Sequence, residues 1–338
     1  MKVTFLGTAA GQPSLNRNCT SIAIEIDNSE YILVDCGEAT LHQIMRSSLK
    51  LSKINCIVIT HLHGDHIFGL PGLICTMNDV RETPLYIYGP RGLKDFCKTF
   101  EKSVHSFTLK VHEYFNPYND ICDLQIGNFN VHIESCRVRH TTECYAYAIS
   151  KSRVKNKINI SALNPIISTY KHEIEEIGYN PAKKIIGSFS NDDSFKIEFK
   201  SKETGELIKL YSKDYIIPEP SFKIVIALDN NNCENIFTYF KSCNVLIHES
   251  TYAIVTADAN DEITRKAISY GHSTSLMATN NAARIHAETL ILTHFSNRYD
   301  ISDGKMVIED KMIETCLNTG YTGNIKAAYD FSVFEFKY

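Results

Sequence analysis

Three imidazoles and a carboxylate fall within six residues at His61-Leu62-His63-Gly64-Asp65-His66. Imidazole nitrogen together with carboxylate oxygen is the donor set of a catalytic zinc ion. A structural zinc would more often recruit thiolates, and no cysteine lies in this stretch. A lone histidine in a loop is usually just solvated, but three with an aspartate, out of 13 histidines in the chain, read as a metal-binding loop. Immediately upstream, Ile54-Asn55-Cys56-Ile57-Val58-Ile59-Thr60 has the β-branched residues of a buried strand. The donors are therefore expected on a loop at a strand end.

Other polar residues follow other apolar runs in the same way. His140 comes after a strand expected over residues 129–138, Asp229 after 223–228, His248 and Glu249 after 245–247, and His294 after 289–292. His272 lies in the loop Tyr270-Gly271-His272-Ser273-Thr274. Strand ends that converge on one rim are how α/β scaffolds build sites. A hairpin is expected from strands 21–26 and 31–34 about Asp27-Asn28-Ser29, and helices over 39–49, 91–100, 166–177, 274–285 and 306–317. Strands and helices interleave, which predicts an α/β protein with mixed sheets.

The chain has 338 residues, 43% hydrophobic and 22% charged, enough for one large domain over 1–338 with its own core. Its net charge of -4 gives no global basic signature, so a nucleic-acid partner needs a local patch. Residues 151–187 supply one, with seven Lys or Arg against three acidic residues, and read as an inserted basic arm. Eleven cysteines, an odd number with no C-x-x-C spacing, read as free thiols of a reducing compartment. No apolar stretch reaches about 18 residues and the amino terminus lacks a secretory pattern. A cytoplasmic protein with no membrane partner is expected.

A set of motifs carries a specific resemblance: Asp35-Cys36-Gly37-Glu38-Ala39-Thr40, His61 to His66, Gly69-Leu70-Pro71-Gly72-Leu73, His248-Glu249-Ser250-Thr251, Gly271-His272-Ser273-Thr274, Ile291-Leu292-Thr293-His294-Phe295 and Ala327-Ala328-Tyr329-Asp330-Phe331. Together, across nearly the whole chain, they resemble ribonuclease Z, the tRNA 3′ processing endonuclease family of the metallo-β-lactamase superfamily, in its short form. The resemblance implies an αββα sandwich of two mixed β-sheets flanked by helices, and two Zn2+ per chain. It implies His61, His63 and His140 on one ion, Asp65, His66 and His272 on the other, and Asp229 between them. It also implies Asp65 as proton acceptor and His248 as a catalytic residue near the scissile phosphate. A homodimer and a precursor tRNA substrate follow from the same resemblance.

Smaller expectations attach to neighbouring residues. Thr8, Asn18, Thr20, Ser296 and Arg298 could position phosphates or orient ligands, with Arg298, Lys183 and Lys184 as RNA contacts. His294, Glu38 and Glu249 are candidates for accepting the outer N–H of a ligating imidazole. The chain departs from the family at Ala227-Leu228-Asp229-Asn230, where a Ser-Gly pair usually precedes the aspartate and Thr follows. It departs again at Gly178-Tyr179-Asn180-Pro181-Ala182-Lys183-Lys184, where the arm usually carries a Gly-Pro segment. The leading function is thus zinc-dependent removal of the 3′ trailer from precursor tRNA. An enzyme of the same fold acting on small phosphate diesters such as cyclic nucleotides is the alternative, and a non-catalytic RNA-binding relative the third.

Overall fold

The computed structural model describes residues 1–114, 116, 119–218, 222–254, 260–299 and 309–336. They divide into two compact units, the larger formed by Met1–Gly127, Val131–Lys151 and Phe222–Tyr338.

Two seven-stranded sheets make the larger unit. The first runs in the order Val333–Glu335, Lys2–Gly7, Ser21–Asp27, Glu30–Val34, Ile54–Val58, Leu85–Gly89, Leu109–Glu113. Its early strands pair antiparallel, and from Glu30–Val34 onward the pairing is parallel. The second runs Asn324–Ala327, Thr289–Thr293, Val245–Glu249, Phe222–Ala227, Glu143–Arg153, Phe129–Arg139, Asp120–Ile126. Here Phe222–Ala227, Val245–Glu249, Thr289–Thr293 and Asn324–Ala327 are parallel.

Side-chain alternation explains why both faces of each sheet are covered. In Glu30–Val34, Tyr31 and Leu33 pack with Ile44, Leu73 and Ile74 of the helices Thr40–Met45 and Leu70–Met77. Ile32 and Val34, on the other face, are equally buried. In the second sheet Val225, Leu246, Leu290 and Leu292 pack with Ile236, Ala278, Ala282 and Met312, from the helices Glu234–Tyr239, Ser275–Arg284 and Glu309–Leu317. The Tyr147 hydroxyl, donating to the Ile59 carbonyl at 2.6 Å, links the sheets on their inner faces. This is the αββα arrangement expected from the sequence. Parallel strands of both sheets end at one edge, which is where His61, Asp229 and His294 follow them.

The second unit consists of Asn128–Asn130 and Ser152–Ser221. Its helices Ile160–Thr169, Lys171–Glu176 and Lys184–Asn191 and the hairpin Lys196–Lys200/Leu207–Tyr211 enclose a separate core of Leu163, Ile174, Ile185, Phe189, Ile197 and Phe199. Where one helix was expected over 166–177, two meet at Tyr170. The inserted segment, expected over 151–187, continues through the hairpin. Over 152–221 the chain carries eleven Lys and Arg against ten Asp and Glu, so the excess of +4 over 151–187 falls to +1 for the folded unit. The helix expected over 306–317 is present as Glu309–Leu317, with 306–308 outside the described residues.

Candidate metal centre

Four imidazoles at the rim are each aimed by a partner behind them. Asp35 follows the strand Glu30–Val34 in a left-handed conformation (φ 58°), which an aspartate tolerates better than most residues. Its carboxylate accepts from Thr60 N at 2.7 Å, from the Thr60 hydroxyl at 2.8 Å and from His66 Nδ1 at 2.7 Å. With that hydroxyl donating to Asp35, Thr60 Oγ1 can accept from His61 Nδ1, 3.0 Å away. His140 Nδ1 donates to the Gly271 carbonyl at 2.7 Å. Gly271 has φ 81°, and a Cβ there would lie 2.9 Å from that same Nδ1, so only glycine suits the position. Thr251 Oγ1 donates to Glu249 at 2.5 Å and lies 3.0 Å from His294 Nδ1. In all four rings Nδ1 is engaged outward and Nε2 is left facing the rim.

The inward atoms converge on Asp229. Its Oδ2 lies 3.7 Å from His61 Nε2 and 3.6 Å from His140 Nε2, and its Oδ1 lies 3.4 Å from His66 Nε2 and 3.0 Å from His294 Nε2. His63 completes the first set, with Nδ1 3.3 Å from His140 Nε2. Asp65, in the first turn of the short helix Gly64–Ile67, completes the second. Its Oδ2 lies 3.3 Å from His66 Nε2 and 3.7 Å from His294 Nε2, and accepts from Gly11 N at 2.9 Å. Three overlapping donor sets result among the described residues, His61/His63/His140/Asp229, Asp65/His66/His294 and Asp229/His272/His294, each with ligand atoms within 4.8 Å of one another.

These atoms fit metal ions on their own chemistry. Nε2 of His61, His66 and His294 and Oδ1 of Asp229 are buried without a hydrogen bond, a costly state unless a cation satisfies them. Burial, reinforced by His66, holds His61 well below its ordinary value, which keeps it a neutral ligand. Burial works against charge on His66, yet Asp229, Asp35 and Asp65 raise it well above its ordinary value. The carboxylates therefore make the second set a place that favours positive charge.

Two expected roles change. His248 is fully buried away from the rim: its Nδ1 donates to the Glu249 carbonyl at 2.8 Å, and Nε2 lies 3.1 Å from Asn281 Nδ2 and 3.8 Å from Cys233 Sγ. Strand alternation is the reason, since Leu246 and His248 share the face covered by helices while Glu249 takes the other. The place expected for His272 beside Asp65 and His66 is taken by His294. His272 instead pairs through Nδ1 with Glu249, at 3.2 and 3.3 Å, and stands 3.8 Å from Asp229. Burial disfavours its charge, but Glu249 and then Asp229 raise it to about 9.

Glu249 organises this side of the rim. It accepts from Asn230 N, from Thr251 and from His272, and so fixes the loop of Asp229 and two histidines together. The loop that lacks the usual glycine is braced by Asn230, whose Nδ2 donates to the Leu228 carbonyl at 2.8 Å and whose carbonyl accepts from Ser273 at 2.6 Å. Glu38 is exposed and touches no imidazole of the rim. Thr8 and the Asn18 backbone bond Asp330, and Thr20 bonds the Ala9 carbonyl, so these brace loops. Arg298 donates to Ser296 at 2.9 Å and lies over the Tyr252 ring at 4.8 Å. Lys183 and Lys184 are exposed in the second unit. Asp35 carried no expected role, although an acidic residue ending an apolar strand next to the metal-loop strand was a usable signal.

A protein family described as anti-Pycsar protein Apyc1 matches residues 1–165. Ribonuclease BN of Proteus mirabilis (strain HI4320) is 36% identical over 308 residues, 88% of this chain and 90% of that protein. Ribonuclease Z of Bacillus cereus (strain ZK / E33L) is 32% identical over 340 residues, 97% and 98% of the two chains. The crystal structure of human tRNase Z, short form (ELAC1), superposes with a TM-score of 0.63 at 26% identity over 100% of both chains.

Proposed function

This chain belongs to the ribonuclease Z family of the metallo-β-lactamase fold, and from that membership we propose that it is a zinc-dependent endoribonuclease. It removes the 3′ trailer of precursor tRNA, leaving a 3′-hydroxyl on the tRNA and a 5′-phosphate on the trailer. The observation that carries this reading is Asp229, with one carboxylate oxygen turned to each of two imidazole sets. His61, His63, His140 and Asp229 would hold one Zn2+, and Asp65, His66, His294 and Asp229 a second. When bound there, the pair would lower the pKa of a water and neutralise charge on the phosphate.

The protein's own groups supply the proton movements. Asp65, with Oδ2 held by Gly11 N, accepts the proton of the attacking water. As the bond from phosphorus to the 3′ oxygen breaks, that oxygen needs a proton. His272, its Nδ1 paired with Glu249, has Nε2–H left to donate one. His272 thus takes the role first expected of His248. Lys183 and Lys184 offer phosphate contacts on the second unit, and Arg298 one near the rim. Eleven free cysteines suit a cytoplasmic location, and no described helix is long and apolar enough to cross a membrane. A homodimer completes the proposal.

One observation favours turnover of small phosphate diesters instead, the near-neutral charge of the second unit. Incubating the purified protein with 3′-extended precursor tRNA, and separately with bis-p-nitrophenyl phosphate, distinguishes the two. Cleavage after the discriminator base, abolished by chelator, is the expected result. Diester hydrolysis with intact precursor would overturn it.

A further inference from the structure

Beside His140, and within the larger unit, lies a groove of about 420 Å3 whose polar lining is Arg137, Arg139, Thr142, Asn232, Glu234 and Asn235. Arg137 and Arg139 occupy alternate positions at the end of the strand Phe129–Arg139, so their side chains leave the same face, and both are exposed. They stand about 7 Å apart along the strand, and Arg139 directly precedes the rim histidine. The strand is fastened to the opposite wall: Arg139 N donates to the Asn232 carbonyl at 2.9 Å, Asn231 N to the Arg139 carbonyl at 2.8 Å, and Asn235 Nδ2 to the Arg137 carbonyl at 2.7 Å.

The two guanidinium groups outnumber the one carboxylate, Glu234, that lines this groove. Neither guanidinium makes a hydrogen bond or close ion pair with any described residue. The hydrogen bonds of the nearby carboxylates go elsewhere, Glu234 to Arg284 at 2.6 and 2.7 Å, and Glu143 to Arg91 at 2.9 Å and the Tyr145 hydroxyl at 2.9 Å, with Arg137 adding only a longer-range attraction to Glu143. Two free guanidinium groups on a fixed strand, opening beside the donors of a phosphodiester hydrolase, suit anionic oxygens adjoining the reacting one.

We propose that this groove is a subsite for the ribose-phosphate chain next to the scissile bond, with Arg137 and Arg139 each taking a backbone phosphate. The inference rests on the polynucleotide reading above and adds where the single-stranded backbone lies. It also gives the chain a phosphate grip independent of the second unit, whose net charge is only +1 over 152–221.

The test is the pair Arg137→Ala/Arg139→Ala, with Arg137→Lys/Arg139→Lys, called the lysine pair, as control. Binding of a fluorescein-labelled 3′-extended precursor tRNA and of a 12-nucleotide single-stranded RNA is read by anisotropy across a salt series, with cleavage rates alongside. The alanine pair should weaken binding of both RNAs ten-fold or more at low salt and flatten the plot of log affinity against log salt by about 1 to 2. In cleavage the loss should fall on KM and leave kcat nearly intact. The lysine pair, which keeps the charge, should recover much of the affinity. Unaltered RNA binding and salt slope in the alanine pair would overturn the proposal. If the wild-type protein binds RNA in this groove-dependent way but cuts no precursor tRNA, the functional reading fails while the groove stands.

Discussion

The rim of the larger unit and the inserted unit are held in shape by different forces. At the rim four imidazoles are tied to directional partners: His61 to Thr60, His66 to Asp35, His140 to the Gly271 carbonyl, and His294 through Thr251 to Glu249. The inserted unit holds itself by apolar packing of Leu163, Ile174, Ile185 and Phe189, with its lysines outside. Hydrogen-bond geometry is steep in distance and angle, whereas burial is non-directional and forgiving at the surface. Function should therefore fail abruptly at the rim and gradually on the inserted unit.

The largest break is expected at Asp229→Ala, which removes an oxygen from both donor sets. Metal content and precursor cleavage should fall together, the latter by about four orders of magnitude or more, as read by elemental analysis and single-turnover kinetics. Asp65→Ala should lower turnover by about two orders of magnitude or more while RNA binding persists. Loss of RNA binding with turnover preserved would refute the role given to Asp65.

His272 sharpens the comparison through pH. A histidine raised to about 9 stays protonated at neutral pH and loses its proton as pH rises through that value. Turnover should accordingly fall above about pH 9, and His272→Gln should lower kcat and erase that limb. His248→Ala should do the opposite. It leaves the Asn281 amide without its buried acceptor, costing about 1–3 kcal/mol in a denaturant melt, with metal content unaffected. The smallest effect belongs to the inserted unit: Lys183→Ala with Lys184→Ala should raise KM for precursor tRNA by about 1 to 2 kcal/mol in binding and reduce its salt dependence.

Much of this was legible in the residues. The strand before His61, the strand ends before His140 and Asp229, and the alternating α/β pattern all appear where the sequence places them. The division of roles among His248, His272 and His294 was harder to read. His248 and His294 both continue the helix-facing alternation of their strands, Leu246 to His248 and Leu290, Leu292 to His294, and only the left-handed backbone of His294 (φ 57°), just past the strand end, takes it out of the pleat to the rim, while His272 comes from a loop between two helices. The extent of the inserted unit was hidden for another reason. Its hairpin carries the acidic residues that offset the basic stretch, and only the shared core with Ile197 and Phe199 reveals that the two belong together.

The assignment of His294 separates the rim described here from the one first expected, and metal stoichiometry of His294→Ala tests it most directly. Wild-type protein purified without chelator should hold about two zinc ions per chain, and the variant about one, with precursor cleavage lost. A His294→Ala protein that retains the wild-type metal content and cleaves precursor tRNA at the wild-type rate would contradict it.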